Sequence, residues 1–152
     1  MLFRSADTGA DLGDFVAGGW SIAELAPDMV AVVRDGTVQV DGCVHEIRAA
    51  KEIRIGGGRL DPTLKVVTTI TNTGSGTLTT RFAIEWSTML LGGGGNPSAY
   101  NEIGDRRVAH DAAIQAPQVR DFAAGNTFLG IRLETSVDPP RSEEHTSELQ
   151  SQ

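Results

Sequence analysis

Residues 64–71, Leu-Lys-Val-Val-Thr-Thr-Ile-Thr, constrain this chain's fold more than any other stretch. In an extended backbone Leu64, Val66, Thr68 and Ile70 fall on one side, and Lys65, Val67, Thr69 and Thr71 on the other. β-branched side chains lose rotamer freedom in a helix and suit a pleated surface, so the stretch reads as a strand. The same alternation recurs elsewhere. In 46–55 it sets Ile47, Ala49, Ile53 and Ile55 against Glu46, Arg48, Glu52 and Arg54. In 78–91 it sets Leu78, Phe82, Ile84 and Trp86 against Arg81 and Glu85, and in 127–135 it sets Leu129, Ile131 and Leu133 against Arg132 and Glu134.

The punctuation between these runs predicts the connections. NTGSGT (72–77) predicts a turn that folds 64–71 and 78–91 into an antiparallel hairpin. Arg34-Asp35-Gly36, between MVAVV (29–33) and TVQV (37–40), predicts a second hairpin, because glycine accepts the positive φ of a two-residue turn. Three glycines and Arg59, then Asp61-Pro62, predict that the strand ending at Ile55 runs into a loop. Residues 119–125 form a further short strand, and 92–117, without periodicity, form a long loop. Short strands in series with turns between them indicate an all-β, antiparallel sandwich.

Composition excludes several classes. Thirteen basic residues against 20 acidic ones, with no basic run, leave a formal charge of −7 and no surface for phosphate backbones, so no nucleic-acid partner is expected. The single cysteine, Cys43, forbids an internal disulfide and a cysteine-built zinc cage; it reads as a small residue at a strand end. No apolar stretch approaches the roughly 20 residues that span a bilayer, and acids stand where a signal peptide would be apolar. No membrane association and a cytoplasmic location are the expectation.

Chemistry is sparse. His45 and His110 have no metal-type partner in spacing, and Gly92–Gly95 lack the Lys-Ser/Thr that would follow in a phosphate loop, so no metal and no cofactor is expected. Glu85 beside Trp86, ahead of a loop bearing Asn96 and Tyr100, is the one arrangement that suits carbohydrate: carboxylate and amide for hydroxyls, aromatic faces for the apolar side of a sugar ring. The plainer reading puts Glu85 on a solvated sheet face and Trp86 in the core. An epimerase would need a histidine facing a carboxylate across the sheet, His45 or His110 with Glu85, and the spacing gives that no support.

Two resemblances follow from particular residues. Arg141–Gln152, RSEEHTSELQSQ, is similar to the conceptual translation of a sequencing-library adapter, which implies a natural sequence ending near Pro140. Over 11–135, DLGDFVAGGW (11–20), LKVVTTITNTGSGTLTTRFAIEWSTMLLGGG (64–94) and TFLGIRLE (127–134) resemble the C-terminal β-sandwich of family 57 glycoside hydrolases, of the α-amylase and 4-α-glucanotransferase type. Gly13-Asp14-Phe15, Asn72 and Phe82-Ala83-Ile84-Glu85 carry the likeness, and Glu85-Trp86-Ser87 departs from the family's Glu-Leu-Asn. The resemblance implies a galactose-mutarotase-like supersandwich, incomplete here, spanning 1–140. It implies a non-catalytic accessory role, because in that family the catalytic carboxylates belong to an N-terminal (β/α)₇ barrel absent from this chain. The partners implied are that barrel and α-glucan. A stand-alone carbohydrate-binding module and a mutarotase-like epimerase are the alternatives.

Overall fold

The computed structural model describes residues 2–4, 10–86, 95–114, 116 and 119–138. The described residues form ten strands and no helix: β1 (Leu2–Arg4), β2 (Ser21–Ala26), β3 (Met29–Val40), β4 (Cys43–Gly58), β5 (Asp61–Asn72), β6 (Arg81–Ala83), β7 (Ala99–Ile103), β8 (Arg106–Ala109), β9 (Asp121–Asn126) and β10 (Ile131–Ser136). They divide into two compact units, Met1–Trp86 and Ser87–Gln152. All pairings between strands are antiparallel, so the expected all-β class is what the chain adopts.

In the first unit β2, β3, β4 and β5 make a four-stranded meander, and β1 pairs with β6 as a two-stranded ribbon. The register sorts the meander's residues as the alternation predicts. Ile47, Ala49, Ile53 and Ile55 of β4 share a face with Val66, Thr68 and Ile70 of β5, while Arg48, Glu52 and Arg54 face the other way. The polar face carries the ion pairs Arg54–Glu52 (2.7 Å) and Arg48–Asp35 (3.2 Å).

Among the described residues of this unit the apolar face is covered at one end only. Phe3, Phe15, Val38, Ile47 and Ala49 form the core there, with Leu12, Trp20, Val40, Ile70 and Leu78 packed around them. Phe3 of the ribbon lies 5.2 Å from Phe15 and 5.6 Å from Phe82, centroid to centroid, so this half of the unit is layered in the manner of a sandwich. At the other end Ile55 and Leu64, Leu25 with Val30, Ile53 and Val66, and Ile22 with Val32 make three successive apolar rows across the strands. Ile22, Leu25, Ile55 and Leu64 are each more than half exposed.

Several connections differ from the expectation. The β3–β4 turn is at Asp41-Gly42, where φ is 51° and 77°, and not at Asp35-Gly36. β3 runs straight through Gly36 because that position serves packing: a Cβ there would meet Phe15 Cζ at 2.8 Å and crowd the Asp14 carboxylate. Gly56–Gly58 are strand, not loop, and Asp61-Pro62 begins β5 after a turn at Arg59-Leu60. Among the described residues, the 64–71 and 78–91 segments form no hairpin with each other. Asn72 instead folds the intervening loop on itself, its Oδ1 accepting from Gly74 N (3.1 Å) and its Nδ2 donating to Gly76 O (2.6 Å). Of 78–91 only Arg81–Ala83 is strand among the described residues, and its partner is β1; 87–91 lie outside them.

The Gly13-Asp14-Phe15 motif is a lock on β3. Gly13 bridges Val38, and Asp14 Oδ1 accepts from Thr37 N (3.2 Å). Arg34 then clamps the loop that follows. Its Nη2 donates to Asp14 O (2.8 Å), its Nη1 donates to Gly19 O (3.3 Å), and its guanidinium stands 5.5 Å from the Phe15 centroid.

The second unit is one four-stranded sheet of order β10-β9-β7-β8. The expected loop over 92–117 contains the β7–β8 hairpin, turned at Gly104 (φ 57°) and Asp105. The expected strand at 119–125 is β9, and Thr127–Gly130 of the expected 127–135 strand form the turn that leads into β10.

Candidate functional site

β7 supplies the side chains around which the second sheet's polar face is organised. Tyr100 and Glu102, two residues apart, point to the same side, as do Gly125 and Ala123 of β9, Arg107 and Ala109 of β8, and Arg132 and Glu134 of β10. The small residues of β9 make the arrangement possible. With no Cβ at Gly125, the Tyr100 ring lies down across β9; a Cβ there would overlap its hydroxyl and would sit 2.9 Å from Ile131 O. Arg107 caps the ring, its guanidinium carbon 3.8 Å from the centroid.

Glu102 holds the two arginines. Its Oε1 accepts from Arg107 Nε (3.0 Å) and Nη2 (2.6 Å), and its Oε2 accepts from Arg132 Nε (3.0 Å) across β9. Arg132 also pairs with Glu134. The hydrogen bonds from Arg107, and then those from Arg132, hold the Glu102 carboxyl below the ordinary carboxylate range; the bond to Glu102 in turn raises Arg107. A carboxylate kept ionised with both oxygens engaged is a poor proton donor or acceptor, so this network ties β8, β7 and β10 together and offers no acid–base chemistry. It was not anticipated from sequence. Glu102 and Arg107 placed symmetrically about Gly104-Asp105 were the available signal: opposite charges facing each other across a tight turn.

Beside this network a shallow depression of about 440 Å³ is lined by Asn96, Tyr100, Arg107 and Asp111, among others. Asn96 and Tyr100, the two expected carbohydrate residues of this unit, are therefore brought together. Asn96 Oδ1 accepts from Ser98 N (3.0 Å), an Asx turn that leads the chain into β7. Tyr100 is buried between Gly125 and Arg107, so its ring offers no open stacking face.

Glu85 and Trp86, the other two expected carbohydrate residues, belong to the first unit. Glu85 follows β6 and is not mid-strand. Trp86 is 59% exposed and is not part of the core, because β6 ends at Ala83 and the alternation that would bury it stops there. His45 is on β4, directly across from Val38, and His110 follows β8 in the second unit, its carbonyl accepting from Asn101 Nδ2 (3.1 Å). Cys43 opens β4 and is exposed. Among the described residues no group of three or more His, Cys, Asp or Glu is placed to hold a metal ion. Among the described residues no helix is long and apolar enough to cross a membrane.

No protein family, no curated protein and no solved structure matches the chain.

Proposed function

We propose that this chain is a non-catalytic β-domain of the kind found C-terminal in family 57 α-amylases and 4-α-glucanotransferases, and that its role is to pack on the catalytic barrel of the parent enzyme. The observation that carries this reading is the uncovered half of the first sheet's apolar face. Strand spacing and the rise per residue give the eight residues of its three rows an area of roughly 260 Å². A freestanding partner needs about 800 Å² per side for a stable interface. A domain joined through the chain needs less, because tethering raises its effective concentration. The occupant best suited to a patch of this size is thus a neighbouring domain in the same polypeptide. A supersandwich is the architecture this reading entails.

Trp86, exposed next to Glu85, is the side chain this reading offers to α-glucan. The gene is the test of the domain assignment. The sequence ahead of codon 1 should encode a barrel with two catalytic carboxylates, and a reading frame without one overturns the proposal. Glucan contact is tested by calorimetric titration with a maltooligosaccharide. Heat that disappears in Trp86→Ala is the expected result; no heat from the unaltered chain removes glucan contact and leaves the packing role.

A further inference from the structure

Among the described residues strand β5 is an edge of the first sheet, and the register fixes which of its backbone groups point outward. The Glu46 carbonyl accepts from Thr73 N (2.9 Å), so even-numbered residues of β4 direct their N–H and C=O groups toward β5. Their partners Lys65, Val67, Thr69 and Thr71 point inward. Leu64, Val66, Thr68 and Ile70 therefore direct theirs away from the sheet. Pro62 takes the outward position before them, where a missing N–H costs nothing and where it ends the usable edge. Long, β-branched edges without such stops or charges are templates for further pairing. From Leu64 to Ile70 this edge carries one charge, Lys65.

We infer that the β5 edge is a dimerisation surface, on which a second copy of this chain adds its own β5 antiparallel about a two-fold axis at Val67. Of the two-fold registers open to this edge, that one alone uses all of its outward groups. Leu64 of one protomer meets Ile70 of its partner, and Val66 meets Thr68, so every outward group between Leu64 and Ile70 is used and roughly eight backbone hydrogen bonds form. Side chains agree with it. The apolar row of Leu64, Val66 and Ile70 continues onto the partner's, while on the polar face Lys65 lies across from Thr69 and no like charges oppose each other. Val67 meets its own symmetry mate as a non-hydrogen-bonded pair, where side chains approach closest. The contact is isologous, so it closes at two copies.

Val67 is 43% exposed on the polar face, across from Glu52, so a lysine there is compatible with the fold. The experiment is sedimentation with light scattering over a dilution series of the whole chain, of Val67→Lys, of Val67→Glu and of the equimolar mixture of these two. The unaltered chain should be a dimer. Val67→Lys should be a monomer at the same concentration with an unchanged far-ultraviolet spectrum, and mixing it with Val67→Glu should restore a dimer containing one of each. Should Val67→Lys lose its sheet signal, Thr68→Pro carries the same test: its N–H points outward, so the ladder to β4 is kept while the edge is blocked. A chain that stays monomeric throughout, a Val67→Lys variant as dimeric as the parent, or open-ended assembly in place of a dimer would each overturn the inference.

Discussion

Replacing Arg34 by Met keeps an unbranched stem against Phe15 and removes the guanidinium that holds the 14–19 loop to β3. The side chain is 11% exposed, and it donates to the carbonyls of Asp14 and Gly19. Hydrogen bonds from a charged donor contribute about 1.5–3 kcal/mol each, so the two together give about 3–6 kcal/mol. Two corrections apply. The Arg34 Nε is buried without a partner, and losing that orphan recovers about 1–3 kcal/mol. The Asp14 carboxylate, 3.4 Å from Nη2 and half exposed, adds no more than about 1 kcal/mol as an ion pair. Taken at the midpoints of these ranges, the net cost of Arg34→Met is about 3 kcal/mol. For a unit of this size that lowers the melting midpoint by about 10–20 °C. The assay is thermal unfolding followed by Trp20 fluorescence in a Trp86→Phe background. Trp20 reports locally, since it packs on the core and carries Lys51 Nζ 4.7 Å from its ring centroid. Arg34→Lys, which can reach one carbonyl but cannot bridge two, should recover less than half the loss. A melt of Arg34→Met that superimposes on the parent's would refute the clamp.

Two further outcomes are expected. Gly36→Ala should cost about 1–3 kcal/mol by forcing Phe15 aside, whereas a turn glycine at that position would leave the 34–38 amide shifts local and Phe15 unmoved; denaturant unfolding with amide NMR separates the two. Glu102 should titrate below an ordinary glutamate in a carboxyl NMR experiment, and Arg107→Gln, which removes the largest cause, should move the midpoint back up. Because the folded-state value is the lowered one, its contribution to stability is present above the unfolded carboxyl value and is lost as pH falls through the folded one. Acid unfolding of the second unit should therefore begin at higher pH in Arg107→Gln.

The strands and their faces were legible because side-chain alternation is a local property that survives any choice of partner. Leu64, Val66, Thr68 and Ile70 lie on one side of their strand as read, and Ile47, Ala49, Ile53 and Ile55 on one side of theirs. The turns were not legible from dipeptides. Asp-Gly occurs at 35–36 and again at 41–42, and nothing local separates a glycine needed for positive φ from one needed to seat Phe15. The β7–β8 hairpin escaped for another reason. Its charged residues pair with each other across strands, so hydrophobicity does not alternate along Asn101–Val108. Asn96 and Tyr100 were found as neighbours of one depression, but the capping of Tyr100 by Arg107 depends on a tertiary accident, the absence of a side chain at Gly125.

The β1–β6 ribbon pairs Leu2 with Ala83, the two ends of the first unit. Closing a loop of roughly eighty residues costs entropy that the meander, built from neighbours in sequence, never meets. The order of events follows. β2 to β5 can zip up as the chain emerges during synthesis, and the Phe3–Phe82 contact waits until Phe82 has been made. The same geometry leaves the unit's first and last strands side by side, so a short linker joining them, with new ends opened at the Arg59-Leu60 turn, would give a circular permutant in which the slowest contact becomes a local one.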